Sequence, residues 1–343
     1  MPEVMPAMRS RPTMRDVAER AGVSLKTVSR VINEEPGVAG HTAERVVAAI
    51  ADLGFQRNDL ARSLRQGRSS STIGLVIEDI GNPFYSAIAQ AVEAAAADRG
   101  RMLITSSCEE DPDRERALVQ ALLRRRVDAL LLVPASDDHS YLAREAGDGT
   151  PVVFLDRPPG GVDADTVLLD NCGGARNAIE HLLAQGHRRI AYVADPGRLY
   201  TASERLRGFR EALADAGVEV DSELVRLDTH SAELAEDVVR ELLALAPDRR
   251  PTAIFTGNNR HTVGALRALR GLEHEVALVG FDDFELADLL VMPTTVVRHD
   301  SQELGRHAAE LAFMRLDGRD GPPRRVVVPT ELVIRGSGEV PPQ

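Results

Sequence analysis

Tryptophan is absent from this sequence, and all aromatic residues together make up 3% of its 343 positions. The core of such a chain has to be aliphatic, and helices should dominate its packing. Cysteine is almost absent as well. Cys108 and Cys172 stand far apart and outside any metal-ligand spacing, which argues against a disulfide framework and a zinc site and fits a reducing cytoplasm. No uninterrupted apolar run approaches the roughly 18 residues of a membrane-spanning helix. Residues Met1 to Pro12 lack the apolar stretch of a secretory leader, so a cytoplasmic location is expected. No Ser/His/Asp or metal constellation stands out. No catalytic residue, metal or cofactor is therefore expected, and the chain does not read as an enzyme.

What is present is 43% hydrophobic residues, enough for a sizeable core, and a net charge of −12 that is unevenly spread. Residues 1–68 hold eleven Lys/Arg against eight Asp/Glu, a balance of +3, which leaves −15 on the remainder. A basic segment on an acidic body suggests a nucleic-acid module. The one lysine of the chain, Lys26, falls in that segment.

The basic segment carries three short helical patterns. Thr13 with Asp16 three residues on forms a capping-box arrangement, followed by an apolar stripe at Val17, Ala18 and Ala21. Gly22-Val23 makes a tight turn, and Ser24 caps a second helix that runs to about Ile32. A third is expected from about Thr42 to Leu53, with Val46, Val47, Ile50 and Leu53 at helical spacing. Two helices joined by a short Gly-containing turn make a helix-turn-helix. On a wheel of about 100° per residue, Val28, Val31 and Ile32 of the second helix cluster together. Lys26 and Arg30 fall opposite, flanked by Leu25 and Ser29. Such a face suits a major groove, where Arg and Lys pair with guanine edges. A merely solvated charged face is the competing reading for the pattern taken alone.

Residues 57–68 hold four arginines, with Leu60 and Leu64 on one side and Asn58 as a cap. A helix this short needs a partner to hold it. From Thr72 onward, apolar strands alternate with amphipathic helices. Strands are expected at 73–77, 102–105, 129–133, 151–155, 189–194, 253–255, 277–280 and 295–297, which implies parallel sheets covered on both faces. About 270 residues are too many for one such sheet, so two doubly wound lobes with a cleft between them are expected. The polar, Pro-containing tail after Ile334 is expected to fray. The domain plan is thus a small all-α helix-turn-helix domain at 1–56, a hinge helix and linker at 57–71, and a two-lobed α/β domain at 72–343.

Taken together these segments resemble the LacI/GalR family of bacterial repressors along nearly the whole chain. Residues 13–24 (TMRDVAERAGVS) are similar to the family's opening helix and turn, 27–33 (TVSRVIN) to its recognition helix, and 60–65 (LARSLR) to its hinge helix. Asn82-Pro83-Phe84-Tyr85, Asp156-Arg157, residues 186–191 (GHRRIA) and 280–283 (GFDD) follow in the family's order. The resemblance implies a periplasmic-binding-protein-like effector domain and a homodimer on a near-palindromic operator. It implies hinge helices folding against the minor groove, with Leu64 wedged between base steps. It also implies a small-molecule effector, a sugar, whose binding in the cleft changes operator affinity. The expected DNA contacts are Thr13, Ser24, Leu25, Lys26, Thr27, Ser29, Arg30, Asn33, Arg62, Leu64 and Arg65. Three positions depart from the family pattern: Arg57 where Pro is frequent, Ala39 where a Ser cap is usual, and Asn259 where many members carry Asp. The chain stops soon after Arg335 without a leucine-heptad tail, so a dimer is expected.

Ligands of open α/β sheets sit beyond the carboxyl ends of the strands. Asn82, Phe84 and Tyr85 follow the first strand, Asp156 and Arg157 the strand at 151–155, Asn258 the one at 253–255, Asp282 the one at 277–280, and His299 the one at 295–297. Arg205 is expected to open a helix on the same cleft. Carboxylates, amides and guanidinium groups bond vicinal hydroxyls, and Phe84 or Tyr85 can cover the apolar face of a sugar ring. Inter-lobe ion pairs or loop caps remain open as alternatives for Asp156, Arg157 and Asp282, as does a simple helix-start turn for Asn82-Pro83. A periplasmic sugar-binding protein would share residues 73–334 but carry a leader and no helix-turn-helix. An NAD-dependent enzyme would need a G-x-G-x-x-G, where this chain reads Glu78-Asp79-Ile80-Gly81-Asn82-Pro83.

Overall fold

The structure, a computed structural model, describes residues 12–33, 35–55, 70–143, 149–272 and 275–343. The chain divides into two units, Met1–Arg68 and Ser69–Gln343. The hinge candidates Arg62, Leu64 and Arg65 lie outside the described residues.

The first unit is built from α1 (Met14–Ala21), α2 (Leu25–Ile32) and α3 (Gly40–Leu53). Thr13 and Asp16 close a reciprocal capping box on α1, and Gly22, at φ +62°, ends that helix in the left-handed conformation. Ser24 caps α2 by accepting from the Thr27 N–H at 3.1 Å. Ala39 supplies no side-chain cap to α3, as its methyl group dictates. The core is Val17, Ala18, Ala21, Val28, Val46 and Ala49. Val47 is not part of it. The inward stripe of α3 runs 46, 49, 50, 53, so Val47 sits a quarter-turn round and is 57% exposed.

The second unit holds two six-stranded sheets. The first has the order β11 (Arg325–Val328), β5 (Asp165–Leu169), β4 (Val152–Leu155), β3 (Ala129–Leu132), β1 (Thr72–Ile77), β2 (Met102–Ser107), and its pairings are parallel. The second has the order β12 (Glu331–Val333), β10 (Thr295–Arg298), β9 (Ala277–Phe281), β8 (Ala253–Thr256), β6 (Ile190–Val193), β7 (Val225–Arg226). Only β12 runs antiparallel among these pairings. Each sheet thus repeats one doubly wound plan, and in each the strand order reverses beside its first strand. β5, β7, β11 and β12 go beyond the sequence expectation; β7 and β12 span only two and three residues, too short for a hydrophobic pattern.

Helices cover both faces. In the first lobe α4 (Pro83–Ala97) and α10 (Ser301–Leu316) enclose one aliphatic core and α5 (Pro112–Arg124) the other. In the second, α6 (Asn171–Ala184) and α7 (Tyr200–Asp215) lie on one side, α8 (Ala232–Leu243) and α9 (Asn259–Ala268) on the other. α6 and α7 cross so closely that a Cβ on Gly208 would stand 2.2 Å from the Cys172 carbonyl oxygen. The chain passes between lobes three times, after β5, after β10 and after β11, so neither lobe is one continuous stretch.

The tail does not fray. Arg335 grips Asp283 with both Nη atoms at 2.7 and 2.6 Å, Ser337 Oγ donates to the Leu278 carbonyl at 2.6 Å, and Val340 enters the second lobe's core. Polar residues read as solvent-seeking are here the partners of backbone groups at the end of sheet two. Apart from Gly336, only Pro341, Pro342 and Gln343 of the tail are exposed.

Candidate functional site

In the first unit, Val28 is fully buried while Val31 and Ile32 pack beside it, which turns the other side of α2 outward. Leu25 is 51% exposed and Lys26 is exposed. Arg30 is half-buried, 3.7 Å from Glu35, and Asn33 donates to Ser29 Oγ and Glu35 Oε1. Thr13, Ser24 and Thr27 serve local caps and turns, the last two sharing a 2.9 Å hydroxyl pair. From α3, Arg45 reaches back to the Ala21 and Gly22 carbonyls and so ties α3 to the turn before α2.

In the second unit the candidate groups stand at carboxyl ends of strands. Asp156 follows β4 and Asp282 follows β9, equivalent places in the two repeated sheets. Both are buried, and both hold left-handed backbone angles, φ +65° and +68°, unusual for residues with a side chain. Asp282 accepts from His299 Nε2 at 2.8 Å and lies 3.9 Å from Arg205. Burial alone would raise its pKa, but Arg205 and the His299 bond prevail and hold it below the usual carboxylate range. Asp156 lies within electrostatic reach of Arg157 and of Arg205, Asp282 and His299, and there burial prevails and raises the pKa. Its Oδ1 is buried without a hydrogen-bond partner.

Arg205 does not open a helix but sits in the second turn of α7. It donates through Nε to Asn171 Oδ1 at 2.7 Å and through Nη1 to the Gly257 carbonyl, with its guanidinium 3.7 Å from the Phe281 ring centroid. Arg157 is held within its own lobe by Glu110 and by the Pro134 carbonyl at 2.8 Å. Asn82 does start a helix, accepting from the Phe84 N–H at 3.1 Å, and the same oxygen accepts from Asn259 Nδ2 at 3.0 Å across the lobes. Asn258 caps α9 and donates to Asp195 at 2.7 Å. Of the two aromatics, Tyr85 is buried in the first lobe's core, whereas Phe84 meets His299 edge-on at 5.3 Å.

Sequence reasoning missed Glu78, Glu110, Asn171, Asn259 and Arg260. Arg260 on α9 spans the lobes to Glu78 at 3.1 Å and to Asp79. Glu78 and Asp79 directly follow β1, so the rule that found Asp156 could have found them. Their partners are fixed only by tertiary contact.

Burial, with Glu110 nearby, pushes the Glu78 carboxyl up to about 7, against Arg157 and Arg260, which pull it down. Between about 4.5 and 7 the folded protein keeps a proton that the unfolded chain has released, so this group's contribution to stability falls as pH rises through that window. Glu78→Gln is therefore expected to be more stable than the parent at pH 8, by up to about 3 kcal/mol. The difference should shrink as pH drops below 7. Urea unfolding at pH 8 and 5.5 measures it, and a difference independent of pH would refute the assignment.

No helix among the described residues is long and apolar enough to cross a membrane, and no cluster of His, Cys, Asp and Glu among them could hold a metal ion. Comparison with known proteins places these features. Residues 13–58 match the family described as bacterial regulatory proteins, lacI family, and residues 179–338 match the periplasmic binding protein-like domain. The chain is 36% identical over 341 residues to the HTH-type transcriptional regulator CelR of Thermobifida fusca, covering 96% of this chain and 99% of that protein. It is 33% identical to the ribose operon repressor of Escherichia coli K12, covering 95% and 99%. A solved complex of transcriptional regulator CelR with cellobiose is similar at a TM-score of 0.70 and 34% identity, covering 95% and 100%. The lac repressor dimer bound to operator and an anti-inducer is similar at 0.81 and 28%, covering 96% and 99%. On this full-length similarity, the chain belongs to the LacI family of bacterial transcriptional regulators.

Proposed function

We propose that this regulator is a homodimeric repressor acting in the cytoplasm, whose grip on a near-palindromic operator is set by a sugar bound between its two lobes. Residues 1–56 read DNA, 57–71 couple the reading head to the lobes, and 72–343 bind the effector and pair the protomers. The observation that carries the effector reading is the pair of buried aspartates at equivalent strand ends, Asp156 with an oxygen in want of a donor and Asp282 fixed by Arg205 and His299. A sugar hydroxyl supplies that donor. Phe84 stands at the same place to cover a ring face. Asn82, Arg157 and Asn258 shape the surroundings through their own bonds, and Tyr85 supports Phe84 from the core.

For DNA, Lys26 and Arg30 are assigned to base edges, Leu25 and Ser29 to their flanks, and Thr13, Ser24, Thr27 and Asn33 to backbone positioning. Arg62, Leu64 and Arg65 are assigned to the minor groove. Selection of binding sites from a random DNA pool by the full-length protein tests this. Recovered sites should show two-fold symmetry, and their affinity should change on adding cellobiose or ribose. Arg30→Ala should cost about 1–3 kcal/mol of specific binding and relax preference at one base pair per half-site. Asymmetric sites, or wild-type affinity in that variant, would count against the docking geometry.

A further inference from the structure

We infer that the cleft admits neutral polyhydroxy ligands and rejects their anionic counterparts, the sugar phosphates and sugar acids. The inference rests on the cleft being a sugar site and adds its charge selectivity.

An anionic ligand needs cationic forks, helix N-termini or spare backbone N–H groups. At this cleft the three arginines are already engaged. Arg157 gives both Nη atoms to Glu110, and one of them also to Pro134. Its remaining Nε has no hydrogen-bond partner but stands 3.7 Å from the Asp156 carboxylate, so that side of the fork is faced by negative charge. Arg205 gives Nε to Asn171 and Nη1 to the Gly257 carbonyl, lies over Phe281 and faces the Asp282 carboxylate with Nη2 at 3.9 Å, and Arg260 is divided between Glu78 and Asp79. The helix N-termini are taken too. Pro83 removes one donor from the first turn of α4 and Asn82 occupies another, while Asn258 caps α9 and the Asp282 carboxylate interacts with the Asn259 backbone at its first turn.

What the cleft offers instead is acceptors. Glu78, Asp79, Glu110, Asp156, Asp195 and Asp282 stand against those three arginines. Two acceptor oxygens of the described residues there, Asp156 Oδ1 and Asn259 Oδ1, are buried without partners. A hydroxyl satisfies such an oxygen, and a phosphate or carboxylate oxygen repels it. The carboxyls of Asp156 and Glu78 are already pushed up by burial, so a further negative charge is least tolerable where they stand.

Matched pairs test this on the full-length protein by calorimetry and thermal shift: glucose with glucose 6-phosphate and glucuronate, ribose with ribose 5-phosphate, cellobiose with cellobionate. At least one neutral member should bind and raise the melting temperature, with its anionic partner at least 100-fold weaker. An anionic member that binds as tightly as its neutral partner overturns the inference while leaving the sugar site standing. If sugars of neither charge bind, the sugar reading falls and this inference with it. Asp156→Asn, nearly isosteric, should keep its circular dichroism, lose at least tenfold in affinity for the neutral sugar and narrow the gap between partners. A folded variant with an undiminished gap would overturn the assignment to Asp156.

Discussion

Arg205→Ala is expected to abolish the proposed sugar response and to lower the stability of the two-lobed unit by about 3–5 kcal/mol, the range for removing one partner of a buried ion pair. The buried guanidinium faces Asp282, satisfies the Asn171 amide oxygen and the Gly257 carbonyl, and lies on Phe281. Alanine leaves all of these groups without it. Asp282 then loses the largest of the interactions that together offset its burial, and its pKa should rise. Lysine should rescue little, since one ammonium cannot reproduce a planar fork. Urea unfolding with Arg205→Ala, Asp282→Asn and the double variant would show the coupling. The double variant should be markedly less destabilised than the two singles summed. A simple sum would mean that the two side chains act apart.

Deletion of residues 335–343 is expected to be comparably damaging. It removes the two-pronged Arg335–Asp283 pair and takes Val340 out of the core. His187 Nε2 loses the Val340 carbonyl at 2.9 Å, and Thr295 loses the Ser337 hydroxyl at 2.9 Å. Burying one Val side chain and two or three stranded polar groups is worth on the order of 5 kcal/mol. That is comparable to the whole stability of a marginal domain. Calorimetry should show the main transition broadened or lost, whereas removal of 341–343 alone should change it little. A truncated protein melting like the parent would show the tail to be ornamental.

The reading head was legible because its signals are local. Thr13 with Asp16, Gly22 and Ser24 each act within one turn of chain, and the structure puts each cap where the sequence placed it. The cleft was legible to the extent that strand ends are. Apolar runs located β1, β4, β8, β9 and β10, and the polar residues just beyond them gather at one place. What those residues do there was not legible. Arg157 pairs with Glu110, 47 positions away, and Asn82 with Asn259, 177 away, choices made by sheet order rather than by spacing. The tail misled for a similar reason: Ser337 and Glu339 have no hydrophobic period, and their partners belong to β9, β10 and α6.

The threefold passage of the chain between lobes bears on how the protein is made. β5 is bordered by β11, and α10 supplies Leu304, Ala308, Leu311 and Phe313 to the same core as Val153, Leu155 and Val167. All of that covering material is translated after β6 to β10 of the second lobe. A nascent chain whose first lobe has left the ribosome therefore still shows an open sheet edge and a bare aliphatic face until residue 328 emerges. Domains that emerge first usually fold first. Here the lobe that emerges first waits for residues translated after most of the second, so synthesis passes through a long interval in which native contacts do not yet shield that face from other chains.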